Sequence, residues 1–455
     1  MSIGLSDIQH PFFIGVGGSG MSALAQYLQG SGKQVSGSDR LFQFPSETRD
    51  KLEASGILCY EQDGSGMLDR IDCVIVSTAV EDSVTEYQLA KQRGLPILHR
   101  SDLLALIASS RKTIAIAGTS GKSTTSAMLF SILVHAGYDP GIISGAGLTS
   151  LVKQGKIGNA AVGSGEWLII EADESDGSII RYHPEIGVLL NIDKDHQELD
   201  ELTRLFRLFR DQSRFFSVNH SHPLTRALSV DGSFDFSSNS SDAAYHSDHF
   251  VQNGLTIYFD INGIPFQLNQ VGAHNMENAL AAAAVAHRIG VPLHVSADAL
   301  RTYEGIYRRH QVLGNKQGIW LVDDFAHNPV KCAASIRACQ PIAPKLIAWF
   351  QPHGFKPTRF LRSEYVHEFS QVVRPGDEIW MSEIFYAGGT AQRDISAGDL
   401  IDDLKQRGVN AHFVPDRNHF LEAVRPHLTN DCTLLLMGAR DPSLEGYAQD
   451  IWRAL

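Results

Sequence analysis

The stretch that decides the fold is Thr113–Ser126, which reads TIAIAGTSGKSTTS. An apolar, β-branched run leads directly into a turn rich in glycine and hydroxyl groups, where a helix is expected to begin. A buried strand, a glycine turn and a helix start together form an arrangement that binds phosphate, because the helix N-terminus presents free amide N–H groups to an anion. The pattern therefore predicts a site for a nucleoside triphosphate.

Individual residues of this loop carry the expected chemistry. Gly118 and Gly121 let the backbone approach the phosphates, and Lys122 adds a full positive charge. Ser123 is expected to place its hydroxyl on the Mg²⁺ that accompanies a triphosphate. The longer GxxxxGK[ST] pattern is not met, because Ile116 stands in place of its first glycine, and the motif has the shorter GxxGKS form. An ordinary glycine turn is the alternative interpretation.

Composition argues against several classes of function. The chain has 455 residues, of which 43% are hydrophobic and 20% charged, and its net charge is −12. This length predicts about three domains, and the negative charge argues against nucleic acid or an anionic membrane as the main partner. The five cysteines lack CxxC spacing and are typical of reduced thiols. Because no signal peptide and no membrane-spanning run is recognised, we expect a cytoplasmic protein without membrane insertion.

Alternating strand and helix patterns predict parallel α/β units. Phe12–Val16 is predicted as the first strand and Met21–Gln29 as the helix after it, whereas the polar stretch from Asn219 to Gln270 predicts an antiparallel insertion or edge hairpin. Further strands are predicted at Gln34–Ser38, Cys73–Ser77, Pro96–Leu98, Trp167–Glu171, Gly187–Asn191, Ile319–Asp323, Lys345–Phe350, Glu378–Ser382 and Thr433–Met437, and helices at Ser101–Ala108 and Asn275–Ile289.

A second glycine motif follows the first predicted strand. It contains Gly15, Gly17, Gly18 and Gly20, and Asp39 stands nineteen residues after the last of them. This is the outline of a dinucleotide fingerprint and by itself suggests a nicotinamide enzyme. Tight strand–helix contact is one alternative, and a site for the diphosphate of another nucleotide is a second. Together with the triphosphate loop, the motif favours a chain in which one nucleotide is a handle and the other the fuel.

Polar clusters follow two further predicted strands, where strand ends face ligands in a parallel sheet. The first is EADESD, from Glu171 to Asp176, and the second is NIDKDH, from Asn191 to His196. Carboxylates at these positions can hold the Mg²⁺ that the triphosphate requires, whereas a solvated acidic turn is the alternative. Two such clusters downstream of a phosphate loop favour a metal site.

Taken in order, the motifs resemble those of the Mur ligases, the ATP-dependent amide ligases of peptidoglycan assembly. The series runs GVGGSGMSALA…GSD, GTSGKST, EADESDGS, NIDKDH, GAHNMENALAA, YRRHQVLG, VDDFAHNP, FQPH and MGARD, and it covers essentially the whole chain. The resemblance implies an α/β protein of three domains. These are a Rossmann-like UDP-binding domain at 1–110, a central P-loop ATPase domain with a parallel sheet at 111–312, and a Rossmann-like C-terminal α/β domain at 313–455.

The resemblance also implies a role for each motif residue. ATP would be bound by Gly118, Thr119, Ser120, Gly121, Lys122, Ser123, Thr124, Asn275, Arg309 and Asp324. The UDP part of the substrate would be bound by Gly15, Gly17, Gly18, Ser19, Gly20, Asp39 and Ser77. Mg²⁺ or Mn²⁺ would be held by Ser123, Glu171 and His196. The catalytic residues would be Lys122, His196, Arg309, His327 and His353, and the incoming amine would face His353, Lys356 and Arg359.

The implied reaction joins the carboxylate of a UDP-N-acetylmuramate-type substrate to the amine of an amino acid or peptide, through an acyl phosphate made with ATP. L-alanine is the first choice of amine, because EADESDGS and FQPH are similar to the ligase that adds alanine. FAHNP is more similar to the ligase that recycles murein peptides, and a paralogue with another amine is a further alternative. The sequence departs from the family pattern at Ser120, Ser123 and Phe325, and at Gly354 and Pro357, where arginines are expected for the incoming carboxylate.

Two hypotheses come from other classes. A nicotinamide-dependent oxidoreductase would use the first glycine motif but would leave the triphosphate loop and the acidic clusters without a role. A non-catalytic nucleotide-binding scaffold would not need Lys122, Glu171 or His196. The ligase is the interpretation that uses every motif. We expect the protein to be a monomer or a homodimer.

Overall fold

The chain is described from a computed structural model over residues 3–174, 177–193, 199–386 and 392–455. It divides into two compact units. Unit 1 consists of residues 1–249, 259–267 and 276–307, and unit 2 of residues 250–258, 268–275 and 308–455. Within the described ranges, no helix combines the length and apolar character that crossing a membrane would require.

The first sheet is parallel and begins the chain. Its strands are β1 Pro11–Ile14, β2 Ser36–Asp39, β3 Leu58–Glu61, β4 Cys73–Val76 and β5 Ile97–His99, and its helices are α1 Ser19–Gly30, α2 Glu47–Ala54, α3 Thr85–Gln92 and α4 Arg100–Ser109. The strand order is β3-β2-β1-β4-β5. All residues of β1 and β4 are buried, as expected of strands covered by helices on both faces. The strands and helices predicted in this region are confirmed to within two residues.

The second sheet contains the stretch TIAIAG. Its strands are β6 Lys112–Ala117, β7 Gly141–Ile143, β8 Ala160–Ala161, β9 Trp167–Ala172, β10 Ile186–Leu189 and β11 Phe215–Val218, and the helices of this segment are α5 Lys122–His135, α6 Thr149–Val152, α7 Leu199–Gln212 and α8 Pro223–Arg226. The order is β11-β10-β6-β9-β7-β8, with only the β7–β8 pair antiparallel among these neighbours. Because β6 lies between β10 and β9, the loop after it opens at a point where ligands bind in parallel sheets.

The third sheet follows in the polar region. Its strands are β12 Phe236–Ser237, β13 Tyr245–Asn253, β14 Thr256–Ile261 and β15 Ile264–Leu268, in that spatial order, and the helices α9 Ala273–Arg288 and α10 Leu293–Arg301 come next. Two-residue connections join β13 to β14 and β14 to β15, which is typical of antiparallel hairpins. The predicted hairpin is therefore present and belongs to a four-stranded sheet.

The fourth sheet lies in unit 2. Its strands are β16 Gln311–Lys316, β17 Ile319–Asp324, β18 Lys345–Gln351, β19 Glu378–Met381, β20 Ala411–Phe413 and β21 Cys432–Gly438, and its helices are α11 Pro329–Cys339, α12 Phe355–Phe360, α13 Arg362–Val372, α14 Ala397–Gln406, α15 Phe420–Val424 and α16 Leu444–Ala454. The order is β16-β17-β21-β18-β19-β20, and β16 is antiparallel to β17 while the other pairs are parallel.

Side chains alternate between two buried layers across this fourth sheet. On β18, Ala348 and Phe350 belong to one hydrophobic cluster, and Ile347 and Trp349 belong to the other. A strand with both faces buried is nearly continuously apolar, which explains why KLIAWF was recognised in the sequence. Because β17, β18 and β21 are parallel, the residues that follow them emerge at one edge of the sheet.

Candidate active site

The loop after β6, residues 118–123 and called here the phosphate loop, has the backbone of an anion-binding turn. Gly118 and Gly121 have φ values of 137° and 84°, which favour glycine. A Cβ on Gly121 would lie 2.5 Å from Asn278 Oδ1, so the loop also passes close to α9. Helix α5 begins at Lys122 without a capping side chain. Its first amide groups therefore face the loop without a side-chain acceptor from the N-cap.

Two oxygen atoms hold the ammonium group of Lys122 in this loop. Its Nζ lies 2.7 Å from the Gly118 carbonyl oxygen and 2.7 Å from Glu174 Oε2. The side chains of Lys122 and Glu174 are 16% and 8% exposed, so this ion pair is mostly removed from water. An anion in the loop would compete with Glu174 for the same ammonium group, because Coulomb attraction is strong where water is largely excluded.

Two of the predicted metal ligands lie side by side. Ser123 Oγ donates a hydrogen bond of 2.9 Å to Glu171 Oε2. The other carboxylate oxygen, Oε1, accepts from Ser144 Oγ at 2.6 Å and from the Gly145 amide at 2.7 Å. A carboxylate and a hydroxyl are the hard oxygen donors that Mg²⁺ prefers, and the donor set fits this ion. The third predicted ligand, His196, lies outside the described residues.

The cluster after β10 holds the opposite side of the phosphate loop. Asn191 Oδ1 accepts hydrogen bonds from Thr119 Oγ1 at 2.9 Å and from the Ser120 amide at 2.8 Å, and Asn191 Nδ2 donates to the Ser120 carbonyl at 3.1 Å. The Asp193 amide donates to Thr119 Oγ1 at 3.0 Å. Ser120 is bonded to Asn191 through its backbone, and its departure from the family's histidine therefore leaves these contacts in place.

The first glycine loop, residues 15–20, follows β1 and is closed by a carboxylate. Gly15 has a φ of 80°, and the Gly18 amide donates to its carbonyl oxygen at 3.2 Å. Asp39 Oδ2 accepts from the Gly17 amide at 3.0 Å, and Asp39 Oδ1 accepts from the Leu41 amide at 3.0 Å. Asp39, predicted to bind the UDP part of the substrate, thus uses both oxygens on the chain's own backbone.

The other predicted UDP-site residues lie near this loop or at the end of β4. Ser19 and Gly20 open α1, whose N-cap, Gly18, has no side chain to act as a cap. A Cβ on Gly20 would lie 2.6 Å from Arg100 Nη1, so a guanidinium group lies over the start of the helix. Ser77 directly follows β4. Sequence analysis missed Arg100, because nothing in its local pattern connects it with a glycine loop eighty residues earlier.

In unit 2, two predicted ATP residues lie where β16 and β17 adjoin. Arg308 and His310, on either side of Arg309, have positive φ values of 55° and 46°. Arg308 Nε donates to Asp323 Oδ2 at 2.9 Å, and the His310 amide donates to Asp324 Oδ1 at 3.1 Å. Burial alone would raise the pKa of Asp324, but the charges of His310 and Arg309 and this hydrogen bond hold it below its ordinary value. Asp324 is therefore an ionised acceptor.

Asn275 is the third predicted ATP residue of unit 2, and Arg309 itself contacts an aromatic ring. The guanidinium carbon of Arg309 lies 5.0 Å from the ring centroid of Phe325, within cation–π range. This contact uses the ring of Phe325 and does not need the hydroxyl that the family's tyrosine would add. Asn275 is buried and donates from Nδ2 to the Val271 carbonyl oxygen at 2.8 Å.

Two predicted catalytic histidines lie together at the edge of the fourth sheet. The ring centroids of His327 and His353 are 5.6 Å apart, and Tyr365 Oη donates to the His327 carbonyl oxygen at 2.6 Å. Burial, aided by the charges of His327 and Arg440, lowers the pKa of His353 to about 4. Its buried Nδ1 has no hydrogen-bond partner among the described atoms. His353 is therefore a neutral imidazole that can accept a proton.

Both predicted amine-site cations lie on α12. Lys356 and Arg359 are exposed, and Arg359 forms an ion pair with Asp394. Sequence analysis missed Arg393, whose guanidinium carbon lies 4.4 Å from the ring centroid of Tyr386. An open groove of about 470 Å³ runs beside α12, and its lining residues are Phe355, Glu383, Arg393, Asp394, Ile395, Ser396 and Asp399.

Three family models match the chain in succession. Residues 11–112 match the Mur ligase family catalytic domain, residues 116–286 match the Mur ligase middle domain, and residues 308–440 match the Mur ligase glutamate ligase domain. Together they cover regions of all four sheets.

Whole proteins with similar sequences or folds carry related names. The UDP-N-acetylmuramate–L-alanine ligase of Thermosynechococcus vestitus is 34% identical over 454 residues, covering 93% of this chain and 90% of that protein. The enzyme of the same name from Geobacter sulfurreducens is 34% identical and covers 92% and 93% of the two chains. The fold is similar to the UDP-N-acetylmuramate–alanine ligase of Thermotoga maritima, with a TM-score of 0.81, 24% identity and 98% of both chains covered. A murein peptide ligase from Psychrobacter arcticus gives 0.67, 20% and 98% of both chains.

Proposed function

This chain belongs to the Mur ligase family, and we propose that it uses ATP to join the carboxylate of UDP-N-acetylmuramate to the amine of L-alanine. The observation that supports the chemistry most strongly is in the phosphate loop. There an ammonium group, a hydroxyl and a carboxylate surround a helix start that has no capping side chain.

In the first step, a carboxylate oxygen of the muramyl substrate attacks the γ-phosphorus of ATP. The new O–P bond replaces the bond to the β-phosphate oxygen, and ADP leaves. Two anions must approach each other, so the step needs positive charge at the phosphates. Lys122 supplies it by moving its ammonium group from Glu174 to the phosphoryl oxygens, and the first amides of α5 add hydrogen bonds.

Ser123 and Glu171 are the described residues that would hold Mg²⁺ beside the loop. When bound, the ion would neutralise negative charge on the phosphates. Ser144 and the Gly145 amide hold the other oxygen of Glu171 and so fix the direction of its carboxylate. Such outer hydrogen bonds orient a ligand before the ion arrives.

In the second step, the amine nitrogen attacks the acyl carbon, phosphate leaves, and the nitrogen loses a proton. The amine must be neutral to attack. His353 is unprotonated at neutral pH and is free to accept a proton; burial makes it a weak base, and the negative charge of a bound acyl phosphate would raise its pKa toward neutral. The neighbouring ring of His327 limits the positions that the imidazole can take. We therefore assign His353 as the base of this step.

A phosphate-release screen tests the proposal. Purified protein with ATP, Mg²⁺ and UDP-N-acetylmuramate is supplied with L-alanine, glycine, L-serine or murein tripeptide, and products are identified by mass spectrometry. Release of phosphate with L-alanine, together with the alanyl product, is expected. Preference for the tripeptide would overturn the choice of amine and retain the ligase class. No amide with any amine would overturn the ligase, and an absorbance change with nicotinamide cofactors would favour an oxidoreductase.

The groups that meet the carboxylate of the amino acid are tested separately. Gly354 and Pro357 provide no cation, so we propose that Lys356 or Arg359 meets this carboxylate. Arg359→Ala is expected to raise the KM for L-alanine more than the KM for ATP. If Lys356→Ala alone raises it, the lysine is the anchor. If neither variant changes it, α12 does not bind the amine.

A further inference from the structure

A second cluster of ligand-type side chains lies in unit 2. Glu378 is the first residue of β19, His412 is in β20, and His427 is on the turn after α15. His427 Nδ1 lies 3.0 Å and His412 Nε2 lies 3.6 Å from Glu378 Oε2. One ligand atom from each residue lies within 4.8 Å of the other two. Two imidazoles and one carboxylate thus converge on one point.

The indole ring of Trp380 fixes both imidazoles. It stacks on His412 with centroids 4.2 Å apart and planes 17° apart, and it meets His427 edge to face at 5.0 Å and 86°. Its Nε1 also donates to Glu378 Oε2 at 2.9 Å. The three side chains are therefore held in position before any ligand binds, which reduces the entropy lost on binding.

The charge and the protonation state of these side chains favour the binding of a cation. Glu378 is buried, and although burial would raise its pKa, hydrogen bonds from Lys345, Trp380 and His427 lower it. Burial is also the main reason why the pKa of His412 lies below its ordinary value. A metal ion on His427 Nδ1 would displace the proton that this atom donates to Glu378, so metal binding releases a proton to solvent.

The cluster is separate from the predicted catalytic residues of unit 2. Lys345 and Glu378 begin the parallel strands β18 and β19, whereas Asp324 ends β17 and His353 follows the end of β18. The amino and carboxyl ends of parallel strands lie at opposite edges of a sheet. A ligand at the cluster would therefore lie at the edge away from His353 and Asp324.

We propose that Glu378, His412 and His427 bind a divalent transition-metal ion, with Zn²⁺ as the representative ion. Imidazole nitrogens favour zinc, copper, nickel and similar ions over Mg²⁺. A bound ion would tie β19, β20 and the turn at His427 together, which makes the site a structural one. Water or the Asn410 side chain, whose Oδ1 is 2.9 Å from His412 Nε2, is available to complete the coordination.

Lys345 gives the proposal its sharpest test. Its ammonium group lies 2.8 Å from Glu378 Oε1, the same carboxylate that the ion would use. In a cluster that is only a buried ion-pair network, Lys345→Met leaves Glu378 with one partner fewer and creates no metal affinity. In a metal site, the same change removes a repelling charge and tightens Zn²⁺ binding.

The experiment is calorimetric titration of Zn²⁺ into metal-stripped, untagged, full-length protein, with Mg²⁺ in excess and no ATP. We expect one Zn²⁺ site that His412→Ala and His427→Ala each weaken by at least tenfold and that Lys345→Met tightens. His367→Ala, at an exposed histidine on α13, is the matched control and leaves the binding unchanged. Glu171→Gln also leaves it unchanged, because that carboxylate lies in β9 of unit 1, beside the phosphate loop.

A spectroscopic readout covers variants that fold poorly. Cu²⁺ is expected to quench part of the tryptophan fluorescence of the wild-type protein, and Trp380→Phe removes that part because Trp380 contacts both imidazoles. Zn²⁺ is also expected to raise the Tm of the wild type and not that of the His412→Ala/His427→Ala double variant. Absence of a Zn²⁺ site, binding that survives both histidine changes, or weaker binding in Lys345→Met would each overturn the proposal.

Discussion

The two glycine loops of unit 1 have the same architecture but different side-chain contacts. Each follows a central strand of a parallel sheet and leads into a helix without a capping side chain, α1 after residues 15–20 and α5 after residues 118–123. In the first glycine loop, the Asp39 carboxylate accepts a hydrogen bond from the Gly17 amide. In the phosphate loop, Lys122 is paired with Glu174 and Ser123 with Glu171.

This difference predicts that the first glycine loop binds a substrate, whereas the phosphate loop also promotes the reaction. A loop with a fixed backbone and a structural carboxylate can bind a diphosphate through remaining amides and shape, but it brings no exchangeable charge. A loop with an ammonium group that can leave Glu174 for a phosphate can stabilise charge as it develops in a transition state. We therefore expect changes in the phosphate loop to lower kcat and changes in the first glycine loop to raise the KM for the UDP substrate.

The largest effect is expected for Lys122→Ala. The variant removes the charge that meets the γ-phosphate, and the rate of amide formation should fall by about 10²–10³-fold. Binding of the UDP substrate, measured by calorimetry, should remain nearly intact. Lys112→Ala is a matched control, because this exposed lysine of β6 pairs with Glu166 and should leave the rate unchanged. A Lys122→Ala variant that retains more than about a tenth of the wild-type rate would contradict the assignment.

A smaller effect is expected for the metal ligands. Glu171→Gln and Ser123→Ala should each raise the Mg²⁺ concentration needed for half-maximal rate by about tenfold or more, because the first replaces a charged carboxylate with a neutral amide and the second removes a hydroxyl donor. Since the two side chains are in contact, the double variant should be less than additive. His196→Ala should behave similarly if it shares the ion. Fully additive losses would show that the residues do not act on one metal.

A change in the first glycine loop should act on binding alone. A Cβ on Gly17 would lie 2.9 Å from Asp39 Oδ2 and 3.3 Å from the ring of Phe42, so Gly17→Ala must move the loop. We expect the KM for UDP-N-acetylmuramate to rise by about tenfold, which corresponds to ~1.4 kcal/mol, with the KM for ATP unchanged. Equal increases in both KM values would show that the two loops are not independent.

The sequence predicted the parts of the fold that depend on local pattern. Buried central strands such as Phe12–Ile14 and Leu346–Phe350 are continuous apolar runs, and both were recognised. The strands β3, β7, β8, β11 and β20 were missed, because two to four residues carry too little periodicity to identify a strand. The strand β16 was missed because Gly314, at a register shift against β17, interrupts its pattern.

The sequence likewise indicated the parts of the candidate site that depend on local pattern. The turn at Gly118–Ser123 and the acidic cluster that begins at the end of β9 are sequence patterns, and in the structure Ser123 Oγ donates a hydrogen bond to Glu171 Oε2. Their shared role as metal ligands stays a prediction. Which carboxylate meets which partner was not predictable, since Glu171 and Glu174 stand in one motif and only the fold assigns Glu174 to Lys122. Asn278 and Ser144 approach the site from other elements, and no local pattern indicates such contacts.

The smallest effect on catalysis is expected for Asp39→Asn, which tests the role of this carboxylate in the first glycine loop. Asp39 accepts one backbone N–H on each oxygen, and asparagine can accept only one of them. One amide loses its partner, so the free energy of unfolding should fall by about 1–3 kcal/mol in a denaturant titration. If Asp39 only shapes the loop, the KM for the UDP substrate should rise by less than about fivefold, which is below 1 kcal/mol. A rise far above tenfold with unchanged stability would instead show that Asp39 bonds the substrate directly, and the first glycine loop would then bind through a charged side chain as the phosphate loop does.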